Sequence, residues 1–133
     1  MTRAAQLLYT IVCDDVRVEM GNKLSLMGVF ENLFFTSFPS LLLRLAVVNH
    51  WIGVGDFETG VRIIAPDGRE VAAAAPSRFH IEAQGYADNV TVFTNVAFDR
   101  AGAFLIQTFL DGRKTSEKAI YVHLVQPPPT TVN

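Results

Sequence analysis

The chain of 133 residues has a single cysteine, Cys13, so it cannot form an internal disulfide. A lone cysteine favours a reducing compartment, and we expect a cytoplasmic location. The apolar run at Ser40–Leu43 stops at Arg44, so no stretch is long enough for a membrane-spanning helix. The apolar N-terminal segment stops at Asp14 without a small-residue cleavage pattern, and we expect no signal peptide.

The chain also has no large excess of positive or negative charge. Eleven Lys and Arg residues stand against 13 Asp and Glu residues, and the basic ones are scattered along the chain. Because nucleic-acid binding requires a concentrated basic surface, we expect no nucleic-acid partner.

Apolar residues are plentiful: they make up 50% of the chain, and the mean hydropathy is +0.26. A chain of this size can bury a core without metal or disulfide support. We therefore expect one globular domain over residues 1–126. The proline-rich residues 127–133 should form an extended tail without a role in the fold.

Turn residues recur every eight to twelve positions or so, between segments rich in Val, Ile, Leu, Phe and Thr. Hairpin turns are predicted at Gly21–Lys23, Pro66–Gly68 and Asp111–Gly112. The pattern predicts an all-β protein of about eight or nine strands. A two-sheet antiparallel β-sandwich, immunoglobulin-like or C2-like, is the preferred architecture, with a barrel as the alternative.

Two local predictions concern the second half of the chain. Gly85 and Asn89 should bracket a turn before a strand over Val90–Phe98. In that strand, alternation is expected to place Val90, Val92, Val96 and Phe98 on one face.

The segments C13-D-D-V-R17 and G21-N-K-L-S-L-M-G-V-F30 resemble an uncharacterised bacterial family of unknown function. The resemblance implies a small β-sandwich protein that opens with this hairpin and carries a late turn like Asp111–Gly112. It implies no activity. A weaker, purely architectural likeness to immunoglobulin-like sandwiches lies at Asp99, Gly102 and Phe104.

No catalytic constellation is evident, and we expect neither an enzyme nor a cofactor. The three histidines are far apart and lack the short spacings of zinc sites. Cys13 stands beside Asp14 and Asp15, whose charges raise a thiol pKa, so we interpret it as a core residue. The chain also lacks a Gly-x-Ser-x-Gly elbow.

Carboxylates leave two interpretations open. Asp14 and Asp15 are adjacent within an apolar segment, and they are interpreted as structural carboxylates at a bulge that accept backbone or arginine hydrogen bonds. A recognition surface at that bend is the alternative. Aspartates also stand at predicted strand ends, where they suit turns or, less readily, calcium; these are Asp56, Asp67, Asp88, Asp99 and Asp111.

Aromatic residues cluster in the least regular part of the chain. Together they form a candidate interaction surface: Phe34, Phe35, Phe38, Trp51 and Phe57. The preferred hypothesis is a non-enzymatic module for protein interaction or self-assembly, with a protein partner or homo-oligomer expected. The alternative is a β-sandwich that binds a small ligand, a carbohydrate or calcium.

Overall fold

The structure is a computed structural model that describes residues 3–126. The predicted tail, residues 127–133, lies outside the described residues. The strands are β1 (Ala4–Glu19), β2 (Lys23–Val29), β3 (Asn32–Phe35), β4 (Ser40–Ile64), β5 (Glu70–Ala73), β6 (Ser77–Phe98), β7 (Gly102–Leu110) and β8 (Arg113–Leu124). The prediction of an all-β protein is confirmed. Within residues 3–126 no helix is present that could cross a membrane.

All eight strands join one open, mixed sheet in the order β2-β1-β4-β7-β8-β3, with β5 and β6 also paired to β4. Only the β3–β8 pair is parallel among these strands. The expected division into two separate sheets, and an immunoglobulin-like or C2-like type, is not established by this pairing.

Strand β4 organises the sheet because it is 25 residues long and has different partners along its length. Its first part pairs with β1 on one side and with β6 on the other. Its last residues pair with β7 and β5. The register shifts between Gly53 and Gly55, where the strand changes direction.

The sheet folds over onto itself. Leu45 and Val47 in the first part of β4 share one buried cluster with Val61 and Ile63 near its end. In a flat strand, residues that far apart in sequence would be separated by about 50 Å. The two parts of β4 must therefore face each other across a common core.

Glycine is required at the bend in β4. Gly53 has φ +147°, and a Cβ there would overlap the carbonyl oxygen of Ala4 and lie 2.8 Å from Ala5 Cα. The close approach of β1 leaves no room for a side chain. Gly53 thus lets β1 stay paired while β4 turns.

The predicted hairpins are present. The β1–β2 pair closes at Glu19 opposite Lys23, and the β7–β8 pair closes at Leu110 opposite Arg113. In the latter turn Asp111 has φ 49° and Gly112 has φ 80°, and a type I′ loop requires positive φ at both positions.

The turn predicted between Gly85 and Asn89 is wrong, because β6 runs unbroken through it. The strand stays in the sheet at its two left-handed non-glycine residues, Gln84 with φ 60° and Asn95 with φ 54°. At Asn95 the side-chain alternation changes while β4 continues to pair with β6, with Thr94 opposite Arg44 and Val96 opposite Leu42.

The shared face predicted for Val90, Val92, Val96 and Phe98 is also wrong. Val90 and Val92 are exposed by about two fifths, whereas Val96 and Phe98 are buried in the main core. The left-handed residue Asn95 lies between the two pairs. It reverses the alternation, which sequence periodicity cannot reveal.

Candidate interaction site

Of the predicted aromatic surface, only Phe34 is mostly exposed, at 61%. It stacks on His123, with ring centroids 4.9 Å apart. Trp51 and Phe57 are buried, so their prediction as surface residues is corrected. Phe35 and Phe38 pack against the main core. The five side chains do not form one exposed patch.

Trp51 and Phe57 are buried because they lie on the concave side of the bend in β4. With Ile81 they form a small buried cluster of their own. The Trp51 indole Nε1–H donates to Asn89 Oδ1 at 2.6 Å, which satisfies its polar atom inside the protein. Trp51 and Phe57 therefore belong to the core at the bend.

Asp14 and Asp15 both lie against other residues of the protein. Asp15 Oδ1 forms a salt bridge with Arg44 Nε at 3.0 Å and accepts a hydrogen bond from the Val16 N–H at 2.8 Å. The Asp14 carboxylate covers Gly28, where a Cβ would overlap it. The β1–β2 register has no shift at these residues; the bulge of β1 lies at Leu7–Tyr9, against β4.

Burial raises the pKa of the Cys13 thiol, and the neighbouring Asp14 charge raises it further. The thiol is fully buried, and its Sγ–H donates to the Asp15 carbonyl oxygen at 3.4 Å. A protonated, buried thiol is a poor nucleophile.

The strand-end aspartates have protein partners rather than a shared ligand. Asp88 pairs with His50, Asp56 with His80 and Asp111 with Arg3, while Asp67 and Asp99 both contact Arg100. Within residues 3–126, no three His, Cys, Asp or Glu side chains are arranged to hold a metal ion.

An outward aromatic stack, which the sequence did not reveal, joins three neighbouring strands. The His50 ring lies between Tyr9 and Tyr86, with centroid distances of 4.7 Å and 5.3 Å. His50 Nδ1 is 2.6 Å from Asp88 Oδ1. The stack lies on the face of β1, β4 and β6 that points away from the main core.

We call this surface the outer face. Its exposed apolar side chains lie on the three adjacent strands β1, β4 and β6, and they include Tyr9, Ile52, Tyr86, Val90 and Val92. Antiparallel sheets usually alternate apolar residues inside with polar residues outside. Here both sides of the sheet are apolar, which is typical of a surface that binds another protein.

Next to the outer face, one side of β6 has no neighbouring strand among residues 3–126. The strand pairs with β4 alone, in continuous register from Tyr86 to Thr94. We call this run the β6 edge. From Ala83 to Phe98 the only charged side chain is Asp88, and its carboxylate contacts the His50 ring.

Other free edges of the sheet carry features that discourage strand pairing. Strands β3 and β5 have four residues each, and β2 has seven and begins at Lys23. The first part of β6 carries Arg78, His80 and Glu82. Short length and charge are the usual protections of an edge strand; the β6 edge is long and carries a single charged side chain, Asp88.

A cleft of about 640 Å³ lies beside the bend in β4. Its lining includes Phe57, Phe79, His80, Asp56 and Asp111. The Asp111 carboxylate accepts a hydrogen bond from the Glu58 N–H at 2.9 Å and pairs with Arg3. These two interactions hold the pKa of Asp111 below its ordinary value.

His80 sits at the rim of this cleft between two carboxylates. Its Nδ1 is 2.8 Å from Asp56 Oδ1, and its Nε2 is 3.3 Å from Glu82 Oε1. The hydrogen bond to Asp56 is the main reason that the imidazole pKa is raised, and the Glu82 charge adds to it.

The fold and these surfaces define an all-β protein with one folded-over sheet, an apolar outer face and one unprotected edge. The chain belongs to the family of unknown function DUF6941, whose model matches residues 8–123. The resemblance noted at the N-terminal hairpin is thereby confirmed as a family without an assigned function.

Solved structures with a similar fold include parts of larger proteins. A β-glucosidase from Listeria innocua, in complexes with isofagomine and with glucose, matches with TM-scores of 0.55 and 0.54 at 10% identity. These matches cover 94% and 92% of this chain and 17% of that chain. The Pseudomonas fluorescens alkylpurine DNA glycosylase AlkC, bound to DNA containing an abasic site analog, matches at 7% identity and TM-score 0.51, over 90% of this chain and 30% of that chain.

At these identities the likeness shows the fold alone. This chain spans less than a third of the length of the solved chains described above. A comparison with curated protein sequences gave no match.

Proposed function

We propose that the protein is a non-enzymatic interaction module that accepts an extended polypeptide strand along the β6 edge. The observation that carries this proposal is the regular, almost uncharged run from Tyr86 to Thr94, which has one strand neighbour among the described residues. Such an edge offers a row of backbone donors and acceptors to an added strand.

The outer face supplies the side-chain part of the recognition. Tyr86, Val90 and Val92 project from the edge strand itself and are 61%, 40% and 41% exposed. An added strand would bring its own alternate side chains against them. Cross-strand apolar pairs of this kind contribute about 0.2–1 kcal/mol each.

The test uses a short synthetic peptide of alternating threonine and valine, titrated into isotope-labelled protein and followed by amide chemical shifts. We expect the shift changes to concentrate between Tyr86 and Thr94. Val92→Lys should weaken binding about fivefold, because it replaces an apolar cross-strand contact with a charge. Val18→Lys is the matched control, since Val18 is an exposed valine on the β1–β2 hairpin.

Shift changes that avoid β6, or equal affinities for the two lysine variants, would contradict the proposal. Circular dichroism of both variants establishes that each one retains the sheet.

A second candidate function is binding of a small ligand, a carbohydrate or calcium in the cleft beside the bend. The specific observation is its combination of the rings of Phe57 and Phe79 with the polar groups of Asp56, His80 and Asp111. A thermal-shift series with calcium and simple sugars tests it. A ligand that stabilises the native protein but not the Asp56→Asn variant would support this candidate.

Two finer expectations also belong to the proposal. A sandwich-like arrangement, immunoglobulin-like or C2-like, is supported by the core that Leu45 and Ile63 share across the fold. A cytoplasmic location is supported only by the lone cysteine, Cys13, and fractionation of the native cell would test it.

A further inference from the structure

We infer that the strand received by the β6 edge is the β6 edge of a second copy of this chain, in an antiparallel pair with a two-fold axis at Thr91. This inference rests on the proposed function and names the partner for the same site.

The symmetry follows from sheet geometry. A two-fold axis perpendicular to the sheet keeps the outer face of both copies on the same side. Residues directly opposite each other in an antiparallel pair share a face, so they must have the same parity along β6. One residue then faces its own counterpart on the axis.

Thr91 on the axis gives the best side-chain matches. Val90 of each copy lies opposite Val92 of the other, so four exposed valines come together on the outer face. Thr91 faces Thr91, which is also a favourable cross-strand pair. Asp88 lies opposite Thr94, whose hydroxyl is a hydrogen-bond donor that a carboxylate can accept.

Charge is compatible with a second copy and disfavours a strongly charged partner. With this register, the two Asp88 residues are about 20 Å apart along the paired strands, beyond the screening length of physiological salt. The rest of the edge is uncharged, so it offers no complement to an acidic or basic partner. A neutral edge is, however, compatible with itself.

The two-fold symmetry of this pairing limits the assembly to two copies. A two-fold interface uses the same edge on both chains and leaves no second β6 edge free. The short or charged edges at β2, β3 and β5 do not continue the sheet. We therefore expect a reversible dimer rather than a fibre.

The first experiment is sedimentation velocity on the full chain over a range from micromolar to near-millimolar concentration. We expect a monomer–dimer equilibrium. Val92→Lys should raise the dimer dissociation constant about twentyfold, because a two-fold interface contains each substitution twice. Val90→Lys should act in the same direction, and Val18→Lys should leave the equilibrium unchanged.

The second experiment tests the register by cysteine cross-linking, which is practical because the native Cys13 is fully buried. We expect a mixture of V90C and V92C proteins to form disulfide-linked dimers faster than either variant alone. Faster cross-linking of a single variant would place the axis elsewhere and overturn the register at Thr91.

The outcomes separate the inference from the proposed function. A chain that stays monomeric at near-millimolar concentration but binds the threonine–valine peptide at β6 overturns the second copy as partner and leaves the module intact. A dimer that is insensitive to both lysine substitutions on β6 also overturns the inference. A monomer that does not bind the peptide overturns both.

Discussion

Asn49 shows how one side chain can join distant parts of this chain. It is fully buried on β4, its Oδ1 accepts a hydrogen bond from Thr10 at 2.6 Å, and its Nδ2–H donates to Thr108 Oγ1 at 3.2 Å. Thr10 is a neighbour in the sheet, but Thr108 lies on β7 across the fold. Buried polar groups without such partners are costly, so this arrangement favours one specific packing.

His80 carries the clearest residue-scale prediction, a pH dependence. Its pKa is raised in the folded protein above the ordinary value of 6.5, mainly by Asp56 and further by Glu82. A raised pKa means that the charged imidazole stabilises the fold. This stabilisation is fully present below the unfolded pKa, and it is lost as pH rises through the folded pKa.

We therefore expect the melting temperature of His80→Gln to fall below that of the native protein at pH 5.5, with a smaller difference at pH 8. In a histidine titration by NMR, Asp56→Asn should move the His80 midpoint down toward the ordinary value. Asp67→Asn is the control, because Asp67 contacts Arg100 instead. A His80 midpoint that Asp56→Asn does not change would contradict this explanation.

At the scale of elements, the unusual feature is strand length. The sequence indicates separate strands at residues 42–52 and 57–65, whereas β4 continues through both. Likewise, the strand expected over Val90–Phe98 is only the last part of β6, which begins at Ser77. The glycines and asparagines between them bend the strands or reverse their faces instead of ending them.

The bend at Gly53 can be tested by Gly53→Ala. The substitution should lower the free energy of unfolding by about 2–4 kcal/mol, because it combines backbone strain at φ +147° with overlap against Ala4. Urea denaturation provides the measurement. Gly60→Ala, in the same strand, has open space around its Cβ and should change stability by less than about 1 kcal/mol.

Equal stabilities for Gly53→Ala and Gly60→Ala would show that the bend does not depend on a bare backbone at Gly53. A loss of stability in Gly53→Ala but not in Gly60→Ala would identify the close approach of β1 as the constraint on β4.

At the scale of the whole molecule, a single sheet makes its own core by folding over. The main buried cluster contains residues of β1, both parts of β4, β6, β7 and β8. Neither part of the sheet buries this surface alone. We therefore expect the chain to unfold as one cooperative unit.

Trp51 is the only tryptophan, and it reports on the bend. Its fluorescence and far-ultraviolet circular dichroism should give the same urea midpoint and the same slope. Two separated transitions would mean that the parts of the sheet unfold independently. If the protein dimerises as inferred, the common midpoint should also rise with protein concentration.

Much of the local structure could be predicted from the sequence. The Asp111–Gly112 loop and the β1–β2 hairpin follow from backbone preferences of neighbouring residues. The inward positions of Phe104, Ile106, Ile120 and Val122 follow from simple alternation, whereas the same alternation wrongly places Leu124 inward, which is 59% exposed. The candidate site was different, since the predicted aromatic residues are mainly core and the exposed apolar residues are on β6 and its neighbours.

The sequence by itself determined the all-β class, the hairpin turns and the family, because these depend on local residue patterns. Only the tertiary structure decided that β4 folds back on itself, that Asn95 reverses the faces of β6 and that one long edge has no strand neighbour among residues 3–126. The physical reason is that a strand's neighbours come from distant parts of the chain. Which edge is left without one depends on all the pairings together.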